Sequence, residues 1–233
     1  MIKAIHFPTA LTGQGLDDYL AKGWFRMGQT IFTTDLLPVN DTIYPVYWLR
    51  YVLSKVRFGK KQERLLTVNK EFSVTIKPFV LSEELEFLYA CYLAIIDFDA
   101  PPTVESFLLD GEGNSIYDTQ LIEIRDAGRL VAAGIFDNGE TSIAGIMNFY
   151  DPGYKTKSLG KWLMLLKINY AIEKGKLFYY PGYIAGGFSK FDYKLFPGPA
   201  AAEIFDSRQE QWIAYDRSSL PPVTFDADEY FPG

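Results

Sequence analysis

Hydrophobic and polar positions change period several times along the chain, and each change marks an element. Over 72–78, Phe72, Val74 and Ile76 alternate with Ser73, Thr75 and Lys77, the two-residue period of a strand with one buried face. Leu85, Leu88, Tyr89, Tyr92, Leu93 and Ile96 then fall on one helical stripe. Ser82 stands at the N-cap position, and Glu83 and Glu84 occupy the first turn, where the helix dipole favours negative charge. Pro101-Pro102 ends that region, and Thr103 is placed to start a shorter helix through Leu109 before Gly111-Glu112-Gly113-Asn114 breaks it. Three strands follow over 119–125, 129–137 and 141–150, separated by Asp126-Ala127-Gly128 and by Asn138-Gly139. The Asn-Gly pair predicts a tight hairpin, because both residues tolerate positive φ. Leu159, Trp162, Leu163, Leu166 and Tyr170 return to helical spacing, with Ser158 near the start and Gly175 just past the end. A strand over 177–183, a Gly-Gly turn, an aromatic helical segment over 188–195 and final strands near 203–205 and 211–215 complete the pattern. Ahead of all this, a short helix is expected around Leu16, Tyr19 and Leu20, and short strands within 25–34 and 42–56.

This order predicts a small N-terminal lobe over 1–70 and an α/β (α+β) domain over 71–233, built on a mixed, mostly antiparallel sheet with flanking helices. It resembles the GNAT-type acyltransferase fold. There an antiparallel strand feeds a loop and a helix, and the next strand returns parallel beside it. The two strands splay apart at the loop, and the gap receives an activated acyl donor. The loop here is DPGYKTKSLG, residues 151–160.

Composition narrows the chemistry. With 233 residues, 48% of them apolar, the chain can bury a substantial core as one globular body. It has no apolar run near the roughly 20 residues of a membrane span, and its start lacks a secretory pattern, so a cytoplasmic protein without membrane association is expected. One cysteine (Cys91) and one histidine (His6) exclude an internal disulfide and the usual Cys/His zinc sites, and no metal site is expected. Cys91 beside an apolar stripe reads as a core thiol, and His6 as a surface or packing residue. Asp97 and Asp99 have the chemistry of an acid/base pair but follow a helix end, where a solvated loop is the simpler assignment. The net charge of −6 disfavours indiscriminate nucleic-acid binding, yet it hides an asymmetry. Arg50, Lys55, Arg57, Lys60, Lys61 and Arg64 face a single acid, Glu63, within 50–64, whereas 203–233 carries seven acids against Arg208 and Arg217. A polyanion would have to dock on one side.

The stretch from Tyr154 to Lys161 combines Lys155, Lys157 and Lys161 with the opening amides of a helix, Leu159 and Gly160 among them, which together make an anion cradle. A solvated strand-to-helix turn has the same composition.

The run from Arg129, RLVAAGIFDNGETSIAGIMNFYDPGYKTKSLGKWLMLLKINYAIEKGKLFYYPGYIAG, resembles the C-terminal half of the arginyl-tRNA–protein transferase family, whose bacterial members include those that place leucine on acidic N-termini. The resemblance is carried by Leu130-Val131-Ala132-Ala133-Gly134, Phe149-Tyr150-Asp151-Pro152, Ser158-Leu159-Gly160 and Tyr180-Pro181-Gly182-Tyr183. Upstream, Tyr19-Leu20-Ala21-Lys22-Gly23-Trp24-Phe25-Arg26 and the basic 50–64 segment stand in the places of the family's N-terminal portion. The resemblance implies transfer of an aminoacyl group, arginine or leucine, from tRNA to the α-amino group of a protein, with aminoacyl-tRNA as co-substrate and no cofactor. It implies that the Ser158-Leu159-Gly160 helix start lies near the aminoacyl end, that Tyr150 and Tyr183 line the pocket, and that Lys155, Lys157, Lys161 and the 50–64 segment contact phosphates. Ester aminolysis of this kind needs positioning, proton removal and oxyanion support rather than a nucleophilic side chain.

The chain departs from the family pattern where cysteines are usual. None occurs over 34–46 or around Gly186-Gly187-Phe188, although Lys190 and Tyr193-Lys194 keep their places. Two alternatives stand beside the transferase: a GNAT N-acetyltransferase using acetyl-CoA in the same slot, and a non-catalytic relative that binds tRNA or protein.

Overall fold

Runs of β-branched and aromatic residues set the centre of the molecule. The computed structural model describes residues 1–97, 100–111 and 115–223. A small antiparallel sheet comes first, of β1 (Ala4–His6), β2 (Phe25–Met27) and β3 (Thr30–Thr33), with helix α1 (Gly13–Leu20) between β1 and β2. The chain continues through β4 (Leu36–Val39), β5 (Thr42–Val52), α2 (Lys60–Val68), β6 (Ser73–Pro78), α3 (Glu83–Leu93) and α4 (Val104–Leu108). The meander β7 (Thr119–Asp126), β8 (Arg129–Asn138) and β9 (Ser142–Tyr150) follows. Helix α5 (Leu159–Glu173), β10 (Phe178–Ala185), β11 (Ala202–Asp206) and β12 (Gln211–Ala214) complete it.

Among the described residues the main sheet runs β12-β11-β5-β10-β9-β8-β7-β6, with β4 paired to β5. Only β9 and β10 are parallel; the other pairs are antiparallel. The mixed, mostly antiparallel sheet with flanking helices expected from the sequence is the one observed, including its strand–helix–parallel strand unit. The strand over 42–52, which falls before position 70, lies inside this sheet between β10 and β11. Its sequence accounts for the placement: Val46, Tyr47, Trp48, Leu49 and Tyr51 are all buried, the near-continuous apolar run of a strand covered on both faces.

Helix α5 packs on one face of the sheet against Ile122, Val131, Phe136 and Ile143. On the opposite face, Leu85, Leu88 and Tyr89 of α3 pack with Val104 and Leu108 of α4 against Leu121, Ala133, Ile135 and Phe149. Ser82 caps α3 by accepting from the Leu85 N–H at 3.3 Å, and the helix ends at Leu93, short of Ile96. The buried surface of α5 is wider than the predicted apolar stripe. Met164, Leu165 and Ala171 are buried too, and α2 lays Leu65 and Leu66 against the core that Ala171 shares.

Two buried contacts fasten the N-terminal elements to the sheet. Arg26 on β2 donates to Asp137 at 2.8 Å, to Thr119 at 3.0 Å and to the Leu108 carbonyl at 2.5 Å, while its guanidinium lies 4.2 Å over the ring of Tyr117. Asp17 on α1 accepts from the Thr141 N–H at 2.6 Å and from the hydroxyls of Thr141 and Ser142. The second contact corrects the turn expected at Asn138-Gly139. The hairpin forms, but neither residue has positive φ. A glycine is needed at 139 because a Cβ would overlap the Asp17 carboxylate. The positive-φ pair is instead Ala127 (φ 46°) and Gly128 (φ 88°), which turn β7 into β8.

Candidate active site

The sheet opens where β9 and β10 meet. They pair from Ser142↔Phe178 only as far as Ala144↔Tyr180. Beyond that point β9 runs on to Tyr150 beside β8 alone, and β10 runs on to Ala185 beside β5 alone. The residues at the divergence explain it. Pro181 has no N–H to donate to a ladder, Gly182 takes φ 92°, and the register of β10 against β5 shifts between Tyr179 and Gly182. Tyr179 closes the apex, its hydroxyl standing where a Cβ on Gly145 would be 2.7 Å away. The parting of the two strands expected from the sequence is present, with its apex filled by Tyr179 and its mouth at the diverging ends.

The start of α5 forms one wall of the mouth. Asp151 accepts from the Gly153 N–H at 2.8 Å and begins a 3₁₀ turn, Pro152–Lys157. Ser158 follows in the left-handed conformation (φ 52°, ψ 42°) and makes no side-chain cap. Its carbonyl accepts from the N–H groups of Lys161 and Trp162, both at 3.1 Å. Leu159 is buried, and Gly160 lies against Tyr150, whose ring would be 3.5 Å from a Cβ at 160. Tyr150 and the helix start, whose opening amides no helix can satisfy internally, are thus brought together. Lys155, Ser158 and Lys161 are exposed, whereas Lys157 is half-buried and paired with Glu71 at 2.6 Å.

Tyr183 is not with them. It sits across the mouth on β10, packed edge-on against Trp48 at 5.3 Å and Phe191 at 5.2 Å, and burial raises its hydroxyl. Three residues without an assigned role from sequence complete this part. Tyr92 on α3 lies 5.5 Å from Tyr150, its hydroxyl pushed up to about 12 by burial and by Tyr150 and Tyr193 nearby. Tyr193 and Lys194 belong to a second 3₁₀ turn, Ser189–Leu195. The Lys194 Nζ donates to the Tyr183 carbonyl at 2.9 Å and lies 4.8 Å over the Tyr183 ring. Burial lowers its ammonium to about 7. The run Phe188-Ser189-Lys190-Phe191-Asp192-Tyr193-Lys194 carries the available signal, lysines set among aromatic residues.

The basic segment divides. Arg50 is held inside the fold on Glu203 at 2.7 Å, sandwiched between Phe178 and Trp212. Lys55 reaches the same carboxylate at 3.3 Å. Arg57, Lys60, Lys61 and Arg64 are exposed on α2 and its lead-in, and α2 abuts the mouth. Gln62 donates to the Phe196 carbonyl at 2.5 Å, Lys161 lies 5.1 Å over the Phe196 ring, and Asn69 donates to the Lys157 carbonyl at 2.9 Å. Here Lys161, Tyr193, Phe196, Tyr215 and Arg217 help line an open groove of about 500 Å³.

The remaining candidates lie apart. His6 meets the Tyr19 hydroxyl at 3.1 Å and stacks near Trp24, and Cys91 is half-buried in α3. Asp97 pairs with Lys190 at 3.0 Å, and Asp99 lies outside the described residues. No described helix is long and apolar enough to cross a membrane.

A sheet parted beside a helix start, with cations along one flank, is an arrangement suited to holding an acyl donor by its charged tail. Comparison with known proteins makes the class specific. Residues 81–201 match the family model described as the C terminus of arginine-tRNA-protein transferase. An aspartate/glutamate leucyltransferase of Leptospira interrogans is 25% identical over 224 residues, covering 92% of this chain and 84% of the relative. That of Shewanella amazonensis is 30% identical over 181 residues, covering 75% and 73%. The chain belongs to the arginine-tRNA-protein transferase family, as a divergent member. Among solved structures it is similar to the C-terminal domain of a putative lysylphosphatidylglycerol synthetase from Agrobacterium fabrum (12% identity, 61% of this chain and 49% of that one, TM-score 0.46). A putative GNAT-family acetyltransferase from Novosphingobium aromaticivorans is also similar (13% identity, 70% and 61%, TM-score 0.40).

Proposed function

We propose that this protein transfers leucine from leucyl-tRNA to the α-amino group of a protein whose N-terminal residue is aspartate or glutamate. The observation that carries this is the parting of β9 and β10 directly beside the α5 start, with the cationic face of α2 joined to it. The tRNA acceptor stem lies along Arg57, Lys60, Lys61 and Arg64, and Lys155, Lys157 and Lys161 meet the phosphates nearest its 3′ end. Unpaired bases at that end stack on Phe196, Tyr193 or Tyr215 in the groove, since every base offers a π-face to an aromatic ring. The aminoacyl ester enters the mouth between Tyr150 and Tyr183.

Aminolysis then requires little beyond placement. Holding amine and ester in contact supplies much of the acceleration. The amides of Leu159 and Gly160, with Ser158 beside them, are positioned to support negative charge developing on the carbonyl oxygen. The names of the relatives, together with the family match, support leucine and acidic acceptors over the acyl-CoA alternative.

The test supplies labelled leucyl- and arginyl-tRNA with peptides that begin in Asp, Glu or Ala. Label is expected in the Asp and Glu peptides from leucyl-tRNA. Binding of tRNA without transfer to any peptide would overturn the proposal in favour of a binding-only relative. Thermal stabilisation by coenzyme A and none by tRNA would overturn it in favour of an N-acyltransferase.

A further inference from the structure

Aminolysis leaves one task unassigned: a protonated amine cannot attack, and an alkoxide leaves poorly. Groups near the mouth that could handle the proton can be taken in turn. Asp97 is tied to Lys190, and Asp192 to Arg217, each at 3.0 Å. Tyr92, Tyr179, Tyr183 and Tyr193 all have hydroxyls that burial raises above their ordinary value, so they stay protonated at neutral pH. His6 is away from the mouth, among Tyr19 and Trp24. One amine remains.

Lys194 is set up differently from the other lysines near the mouth. Its Nζ sits on the carbonyl of Tyr183, in the stretch of β10 that β9 has left. Gly182 admits it there, since a Cβ at 182 would stand 3.1 Å from the amine. From β5, the Tyr51 hydroxyl donates to the Lys194 carbonyl at 2.8 Å and fixes the residue from behind. No carboxylate pairs with Lys194 among the described residues. Its neighbours are the rings of Tyr183 and Phe191 at 4.8 and 5.0 Å. The nearby cations, Lys161 and Arg217, lie along the groove, over Phe196 and on Asp192 respectively.

We propose that Lys194 is the proton carrier of the transfer, a catalytic residue in the reaction assigned above and dependent on that assignment. As the free amine it accepts the proton that the acceptor nitrogen loses when its lone pair forms the C–N bond to the ester carbonyl. The tetrahedral intermediate collapses with cleavage of the bond to the ribose oxygen, and the Lys194 ammonium returns the proton to that oxygen. The products are an amide and a tRNA with a free hydroxyl, and the lysine ends as it began. Because burial lowers its ammonium to about 7, both forms are populated at neutral pH, as a carrier of this kind requires.

The experiment is single-turnover transfer by the full chain across pH 5.5 to 9, with tRNA affinity measured alongside. Wild type is expected to speed up through an apparent pKa near 7. Lys194→Arg keeps a positive charge but cannot release the proton, and should transfer at least about 100-fold more slowly with unchanged tRNA affinity. In a Cys91→Ala background, Lys194→Cys treated with 2-bromoethylamine restores an amine of the same reach but lower basicity. Activity should return with the pH profile moved to lower pH, and the untreated half of the preparation is the control for folding. An active Lys194→Arg protein, or a restored amine with an unmoved profile, overturns the role of Lys194 alone. A wild type that binds aminoacyl-tRNA but transfers nothing removes the transferase assignment and this role together.

Discussion

Ser158 occupies a left-handed conformation that costs an L-residue roughly 1–2 kcal/mol, and its side chain makes no capping bond in return. Ser158→Gly should therefore raise stability by about 1 kcal/mol in urea unfolding, and Ser158→Ala should not. If the hydroxyl supports the oxyanion, both variants lose transfer activity to a similar degree; if only the backbone matters, both keep it. Lys167 makes a separate prediction. It is fully buried in α5, donating to the carbonyls of Ile135 and Met147 at 2.7 and 3.0 Å, and burial lowers its ammonium to about 7. The unfolded chain holds this proton up to an ordinary lysine value of about 10.4. Between the two pH values the unfolded state binds more protons, so stability rises with pH across that window and is flat with respect to this group below it. Comparing unfolding of wild type and Lys167→Met at pH 7, 8 and 9 isolates the effect, which is at most about 1.4 kcal/mol per pH unit and absent in the variant.

Among the elements, α2 offers the most direct check of where nucleic acid sits. Its exposed Lys60 and Lys61 lie on the flank that Gln62 joins to the groove. Lys60→Glu/Lys61→Glu should weaken tRNA binding and reduce the slope of log affinity against log salt by about 2, close to one for each phosphate that is no longer neutralised. Arg50→Ala should instead unfold more easily, since its guanidinium is committed to Glu203, Phe178 and Trp212. The basic segment shows how far a sequence can be read. Charge count located it, but only the register of β5, which places Arg50 opposite Glu203, separates the internal arginine from the exposed residues of α2. The meander, α3 with its Ser82 cap, and the helix after the DPGYKTKSLG loop were legible because periodicity and capping are local. Tyr92, Tyr193 and Lys194 were not, because their chemistry depends on an encounter between α3, β10 and a 3₁₀ turn far apart in the chain.

For the molecule as a whole, the Arg26–Asp137 pair is the main polar tie between the small sheet and the large one. Asp137 is fully buried, and burial pushes its carboxyl up against the pull of Arg26. Arg26→Met strands that carboxylate and should cost about 3–5 kcal/mol, read as a fall in the urea midpoint. Arg26→Met/Asp137→Leu should recover most of the loss, because an apolar replacement of a buried pair is often neutral.

The interior position of β5 also bears on synthesis. This strand leaves the ribosome well before β10 and β11, which flank it. Until they emerge, its 46–52 stretch lacks the partners that β4 supplies only to 42–45, and an apolar strand with open edges is a template for association with other chains. Closing the sheet awaits an encounter between distant parts of the sequence, the kind that forms slowly. A nascent chain halted before β10 emerges would therefore carry an unprotected, sticky strand, a substrate for chaperones rather than a half-built enzyme.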